Sequence, residues 1–213
     1  MTSASLKKIL MISVIASANT AFAMGSRDPA SKETVLAARW EGKHKDGRDW
    51  TLATHSQVEK ITPGLLSTTP SDYKDFCPQY SGMSHAERKN FWVHLLSSMA
   101  QFESNFNPSL SYREAFRDSS GNRVVSRGLL QISIESGNAY GCGFRSNADL
   151  NDPYKNLNCG LRILNRWVSS DKRIAGYVGG AWKGGARYWS VLRTKEKVKS
   201  IKTWTRDFCS AKF

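Results

Sequence analysis

The sequence predicts a mainly α fold with one small β-hairpin, and three observations predict it. Apolar residues recur at helical spacing in three separate stretches: between Ser84 and Glu103, after Pro153, and from Lys195 to Phe208. The first two stretches open on helix-start chemistry. Only the polar, charged stretch Tyr112 to Val125, with Ser119-Ser120-Gly121-Asn122 as its turn, reads as a loop or small hairpin.

Taken in chain order, the first segment is an export signal. Lys7 and Lys8 precede the short apolar run Ile9 to Ala18, and Ala21-Phe22-Ala23 has the small-x-small form of a cleavage site. Residues 1–23 are therefore expected to be removed. The run is too short to span a bilayer, and no later stretch is long and apolar enough to be a transmembrane segment. Residues 24–80 read as an N-terminal extension rich in turn signals such as Asp46-Gly47 and Pro63-Gly64, with Trp40 and Trp50 expected to pack on something.

Residues 81–213 read as the main domain. Ser84-His85-Ala86-Glu87 has the capping-box form. Trp92, Leu96, Met99 and Glu103 then share one helical face, and Phe91, Leu95, Met99 and Phe102 the adjoining one. A helix apolar over so much of its surface belongs in the centre of a core. Asn105, Asn107 and Pro108 stop it. Asp152 suits an N-cap and Pro153 a first helical position, followed by Leu157, Leu161, Leu164 and Val168 at helical spacing. Glycine and aromatics alternate from Ile174 to Trp189, and Val198, Ile201, Thr205 and Phe208 form one face of a lysine-rich C-terminal helix.

The formal charge is +13, and it is unevenly placed. Residues 24–154 carry 15 basic and 15 acidic side chains, whereas residues 155–213 carry 14 basic and 3 acidic ones. A basic surface suits a polyanionic partner, and in an exported chain that points to anionic cell-envelope polymers or membrane surfaces before nucleic acid, which is not expected. A solvated face that keeps the chain soluble is the competing reading. In an oxidising compartment Cys77, Cys142, Cys159 and Cys209 form two disulfides. Three pairings are open, and Cys142–Cys159 with Cys77–Cys209 is preferred: one ties a Gly-rich loop to the Pro153 helix, the other pins the tail to the start of the core. The Cys-x-x-Cys spacing of a zinc site is missing, and no metal or organic cofactor is expected.

Glu103 is the residue on which chemistry turns. A carboxyl group at the end of an apolar helix, beside Met99, Phe102 and Phe106, loses hydration in its charged form and is held protonated. Such an acid can protonate the leaving oxygen of a glycosidic bond. Alone, it is more simply a structural glutamate that caps the helix or joins an ion pair.

Three runs change that weighting: Glu103-Ser104-Asn105-Phe106-Asn107-Pro108, Gly128-Leu129-Leu130-Gln131-Ile132, and Asp152-Pro153-Tyr154-Lys155-Asn156 through Gly160. In this order they resemble the motifs of the goose-type lysozyme and soluble lytic transglycosylase superfamily, with Leu130 in a methionine slot. The resemblance covers roughly residues 85–192. It implies an α+β lysozyme-like fold, peptidoglycan glycan strands as substrate, and cleavage of the β-1,4 bond between N-acetylmuramic acid and N-acetylglucosamine. Glu103 takes the role of general acid, the Ser126 to Gln131 segment lines the sugar cleft, and the Pro153 helix packs behind it.

A fourth family motif, Ala-Tyr-Asn-x-Gly, is altered. Ungapped counting places Ala181-Trp182-Lys183-Gly184-Gly185 there. Tyr177 or Tyr188 then supplies the missing hydroxyl from nearby, and Trp182 stacks on a sugar or simply packs. By the same comparison the loop between the first two motifs is about ten residues longer than usual and holds Glu114 and Asp118, either of which can reach over the cleft as a second carboxylate. The extra carboxylates and the lost tyrosine favour a hydrolase. The alternatives are a lytic transglycosylase that leaves 1,6-anhydro ends and a non-catalytic wall binder on the same scaffold.

Overall fold

The computed structural model describes residues 33–213, which form one compact unit. The export signal expected at residues 1–23 lies outside the described residues. The order of elements is α1 (Gly47–Ile61), α2 (Pro63–Ser67), α3 (Tyr73–Phe76), α4 (His85–Glu103), β1 (Ser111–Arg117), β2 (Arg123–Arg127), α5 (Ile134–Asn138), α6 (Asn147–Asn151), α7 (Pro153–Asp171), β3 (Ala175–Val178), β4 (Ala181–Gly184) and α8 (Lys195–Lys212), with short 3₁₀ turns between them.

Helix α4 is the axis of the molecule, and its sequence explains why. The Ser84 hydroxyl accepts from the Glu87 amide while the Glu87 carboxylate accepts from the Ser84 amide at 2.7 Å, satisfying two groups the helix would otherwise leave open. Every residue from Arg88 to Ala100 is buried, the polar ones included. Most of the polar side chains are paired: Lys89 forms ion pairs with Glu33 and Glu59, Asn90 receives the Leu36 amide, and Arg88 donates to the Leu66 carbonyl at 2.6 Å, whereas neither ring nitrogen of His94 has a hydrogen-bond partner among the described residues.

Residues 33–80 share this core. Helix α1 lies against both α4 and α7. Trp40 and Trp50 are fully buried and meet edge to face at 6.2 Å, with the Trp40 indole donating to Thr51. Tyr80 donates to the Leu65 carbonyl and receives the Trp92 indole N–H, so three segments meet at one hydroxyl. The turn signals of this region are real, but they punctuate helices.

On the opposite side α8 packs along α4 and α3. Phe102 stacks on Trp204 at 5.2 Å, and His94 on Phe208 at 4.1 Å. Both preferred disulfides are present. Cys77–Cys209 joins the end of α3 to α8 across 132 residues, and Cys142–Cys159 joins the loop after α5 to α7 across 17. Helix α7 begins as its sequence implies, with the Asp152 carboxylate accepting the Tyr154 and Lys155 amides.

Among the described residues there are two antiparallel hairpins rather than one. The first, β1–β2, occupies the expected stretch, with Tyr112 opposite Ser126. The second, β3–β4, pairs Tyr177 with Trp182 around Gly179 and Gly180, both at positive φ. Its four-residue strands fall within the glycine-aromatic stretch and are too short for an alternating pattern to stand out. Among the described residues no helix is long and apolar enough to cross a membrane.

Candidate active site

Helix α4 ends at Glu103 because the chain turns left-handed immediately after it, with φ of 47° at Asn105 and 64° at Phe106. That reversal lets Phe106 return to the core, where it is 2 % exposed. It leaves Glu103 at the helix terminus facing a cleft. Ser104 fixes the corner by donating to the Leu129 carbonyl at 3.0 Å.

The facing wall is the turn Gly128 to Gln131. Asn156 of α7 holds it by three hydrogen bonds: its amide oxygen accepts from Leu130 N, and its amide nitrogen donates to the carbonyls of Arg127 and Leu150. The Trp189 indole donates to the Leu130 carbonyl. Gly128 has φ of 79°, and a Cβ there would stand 2.2 Å from the Leu150 carbonyl oxygen. Only glycine fits. Gln131, itself at φ 47°, points into the cleft and donates to the carbonyls of Leu110 and Gly128.

Glu103, Glu114, Gln131 and Ser190 lie where two cavities of about 290 Å³ and 240 Å³ meet, so an open groove passes on both sides of the glutamate pair. One arm continues past Phe116, Ser126, Tyr188 and Arg193, the other past Leu110 and Tyr112. On β1, Tyr112, Glu114 and Phe116 all border this groove, across a stretch where the pairing with β2 shifts register between Arg113 and Arg117. Tyr112 and Phe116 are more than 60 % exposed, leaving two rings free along the groove.

The two carboxyls have different surroundings. Burial pushes the Glu103 carboxyl up to about 7; Lys197 opposes this, and the nearby Glu114 adds to it. The Glu103 Oε1 atom is buried without a hydrogen-bond partner among the described residues. Glu114 instead accepts a 2.7 Å hydrogen bond from Ser126 on the paired strand. Both side chains are half-buried, but one has an oxygen without a partner and the other is hydrogen-bonded. Tyr188 completes the wall. Its hydroxyl is hydrogen-bonded to Ser136 at 2.6 Å, and burial is the largest cause that pushes it up to about 12, with the Ser136 bond opposing and the charges of Tyr140 and Glu103 adding.

The structure thus brings Glu103, Glu114, Ser126, Gln131 and Tyr188 together. Four other expected site residues stand elsewhere. Asp118 caps its own hairpin turn, accepting from the amides of Ser120 and Asn122, and borders a neighbouring depression with Arg123 and Glu135. The Leu130 side chain is fully buried behind the turn against Gly160; a Cβ at that glycine would meet its Cδ1 at 2.2 Å. Tyr177 and Trp182 pack edge to face on the β3–β4 hairpin outside the groove lining, and the Tyr177 hydroxyl is spent on the Gly180 carbonyl. Trp182 approaches the groove only through Arg193, whose guanidinium carbon is 5.8 Å from its ring. Ungapped counting had placed the motif on a hairpin, and Tyr188, seven residues from Ala181, holds the position beside Glu103. Sequence reasoning missed Ser136, Ser190 and Arg193, for which no local pattern gives a signal. Among the described residues no group of three or more His, Cys, Asp or Glu could hold a metal ion.

Comparison with known proteins agrees with this geometry. A family model described as the transglycosylase SLT domain matches residues 83–203. A solved structure of the Bdellovibrio protein Bd0314 DslA, in a wild-type form, is similar at 58 % identity with a TM-score of 0.79, covering 81 % of this chain and 96 % of that one. Structures of two glutamate-to-glutamine mutants of the same protein are similar at 57 % and 58 % identity, with TM-scores of 0.79 and 0.78 and the same coverage. A search of curated proteins finds no match. With more than half its length matched by the family model and an acid at the end of its central helix, the chain belongs to the transglycosylase SLT domain family, lysozyme-like enzymes that cleave the glycan of peptidoglycan.

Proposed function

We propose that the enzyme hydrolyses the β-1,4 bond between N-acetylmuramic acid and N-acetylglucosamine, with Glu103 as general acid. The observation that carries this reading is the second carboxylate: Glu114 faces the same groove and is held by Ser126. Glu103, protonated near neutral pH, donates to the leaving oxygen. Glu114, held by Ser126, is placed to stabilise the sugar cation and orient water against it. The two glutamates replaced in the Bd0314 DslA mutants are eleven positions apart, which is also the separation of Glu103 and Glu114. Catalysis belongs to residues 81–213 in this reading, and residues 33–80 brace α4 from behind.

The second reading is a lytic transglycosylase, in which Glu103 acts as acid and then base and the substrate's own 6-hydroxyl closes an anhydro ring. The family description and the Tyr188 hydroxyl beside Glu103 favour it. Mass spectrometry of the released muropeptides decides. Hydrolysis leaves reducing ends, and anhydro ends as the main product would overturn the hydrolase assignment.

The peptidoglycan substrate and the two disulfides suit an exported enzyme acting in the periplasm or beyond the cell. The basic face of α8, with Lys195 and Lys199 exposed, supports residence on anionic envelope polymers. Charge reversal at these two lysines is expected to weaken binding to wall preparations and flatten its salt dependence.

A further inference from the structure

Tyr188 lines the catalytic groove, and its ring meets Tyr140 edge to face at 5.8 Å. Tyr140 in turn lines a separate open pocket of about 450 Å³, bordered by Ala139, Arg162, Arg166 and Trp167. Nothing in the glycosidase mechanism uses this pocket.

Its polar lining consists of donors. The Tyr140 oxygen accepts from the Trp167 indole at 2.8 Å, which leaves its own O–H to donate. Arg162 is held through Nε by Asn158 at 2.9 Å, and Asn158 is held by Gln57. This brace fixes the guanidinium while its two terminal nitrogens make no hydrogen bond among the described residues. Neither Arg162 nor Arg166 forms an ion pair among those residues. They stand four residues apart on α7, where like charges repel. Arg187, by contrast, lies over the same indole at 4.6 Å but is neutralised by Asp171 at 2.7 Å. A pocket with two unneutralised guanidinium groups, a free phenolic proton and an indole wall, and no acceptor side chain, matches an oxyanion with a small apolar part.

We infer that this pocket binds a carboxylate of the peptide stems that branch from the glycan strand. The inference rests on peptidoglycan being the substrate, and it adds a second point of attachment beside the groove. A stem carboxylate and an envelope phosphate share the required chemistry. The stem is favoured because one ring pair, Tyr140 against Tyr188, joins this pocket to the groove wall, and because the Trp167 face suits the short aliphatic side chains that flank such a carboxylate.

The test compares wild type with the double variant Arg162→Ala/Arg166→Ala on intact peptidoglycan and on glycan strands stripped of stems by an amidase. The expected result is a kcat/KM about tenfold lower for the variant on stem-bearing strands, the weight of one charge-assisted contact, and equal rates on stripped strands. No loss on stem-bearing strands, or the same loss on both substrates, overturns the inference. A second arm titrates both proteins with a soluble stem tripeptide and with inorganic phosphate, followed by NMR. This arm needs no turnover, so an enzyme that proves to use another mechanism still answers. Shifts around Trp167 with the peptide, absent in the variant, support the inference. A response to phosphate alone overturns it in favour of an envelope phosphate. Arg166→Lys, which keeps the charge and loses the fork, is expected to fall between the two.

Discussion

A buried acid that serves catalysis burdens the fold, and the burden can be measured without any substrate. The Glu103 carboxyl is raised from 4.5 to about 7, with burial as the largest cause. Below pH 4.5 it is protonated in both folded and unfolded chains and has no pH-linked effect. Between pH 4.5 and 7 the unfolded chain releases the proton while the folded one keeps it, so the folded state loses stability as pH rises. Integrated over that interval the loss is about 3 kcal/mol. Water in the groove reduces this, and about 2 kcal/mol is the expectation. Glu103→Gln has no proton to lose. The substitution is therefore expected to be nearly neutral at pH 4 and stabilising by about 2 kcal/mol at pH 8, a rise in Tm of roughly 4–8 °C for a domain of this size. Urea unfolding of both proteins at the two pH values is the assay. A ΔΔG that does not change with pH refutes the claim that Glu103 is held dry, and with it the reason for assigning it the acid role. The same variant is expected to lose turbidity clearance of isolated peptidoglycan while still sedimenting with it, and the alkaline limb of the wild-type kcat/KM profile is expected near pH 7.

Three further outcomes follow from the same geometry. Glu114→Gln removes a charge that helps hold Glu103 up, so it is expected to shift the alkaline limb to lower pH as well as cut kcat at least a hundredfold; loss of rate with an unmoved limb would show the two carboxyls to be uncoupled. Gly128→Ala must place a methyl group against the Leu150 carbonyl at positive φ, costing about 2–4 kcal/mol and disturbing the Gln131 wall, so unchanged urea unfolding would contradict the clamp described for that turn. His94, stacked on Phe208, is pushed down to about 3 by burial and then by the Arg39 charge. Its contribution is present above pH 6.5 and is lost as pH falls toward 3, so His94→Phe is expected to flatten the acid limb of stability, as followed by Tm against pH.

What the sequence revealed depended on how local the chemistry is. The capping box at Ser84 and Glu87, the Asp152 cap and the helical spacing of α4, α7 and α8 need only neighbours a few residues apart, and each appears where it was expected. The two disulfides followed from what each pairing would join. The site was half legible. Glu103 and Gln131 come with motifs, Ser126 stands just before the second of them, and Glu114 came from counting a long loop, but Asp118 in the same loop turns away because its carboxylate is taken by two turn amides. Counting puts Trp182 in the slot of the family tyrosine and leaves Tyr177 and Tyr188 both open for the lost hydroxyl, because counting cannot see that the segment folds as a hairpin. Tyr188 could be placed only once the 3₁₀ turns after β4 had carried it back to Ser136. Helix α1 went unread because its polar residues hid a face that buries Trp50, Thr54 and Val58. Asn156 looked like one letter of a motif, and its function, three hydrogen bonds that hold a distant turn, is entirely tertiary.

The Cys77–Cys209 bond spans most of the polypeptide, including the exposed tip of the first hairpin at Ser119 to Gly121. A protease that cuts this tip would divide the molecule into one piece with α4 and Glu103 and another with Gln131 and Tyr188. The cystine would keep the halves attached, so a nicked enzyme would run as one species until reduced and could go on working among the proteases of a degraded envelope.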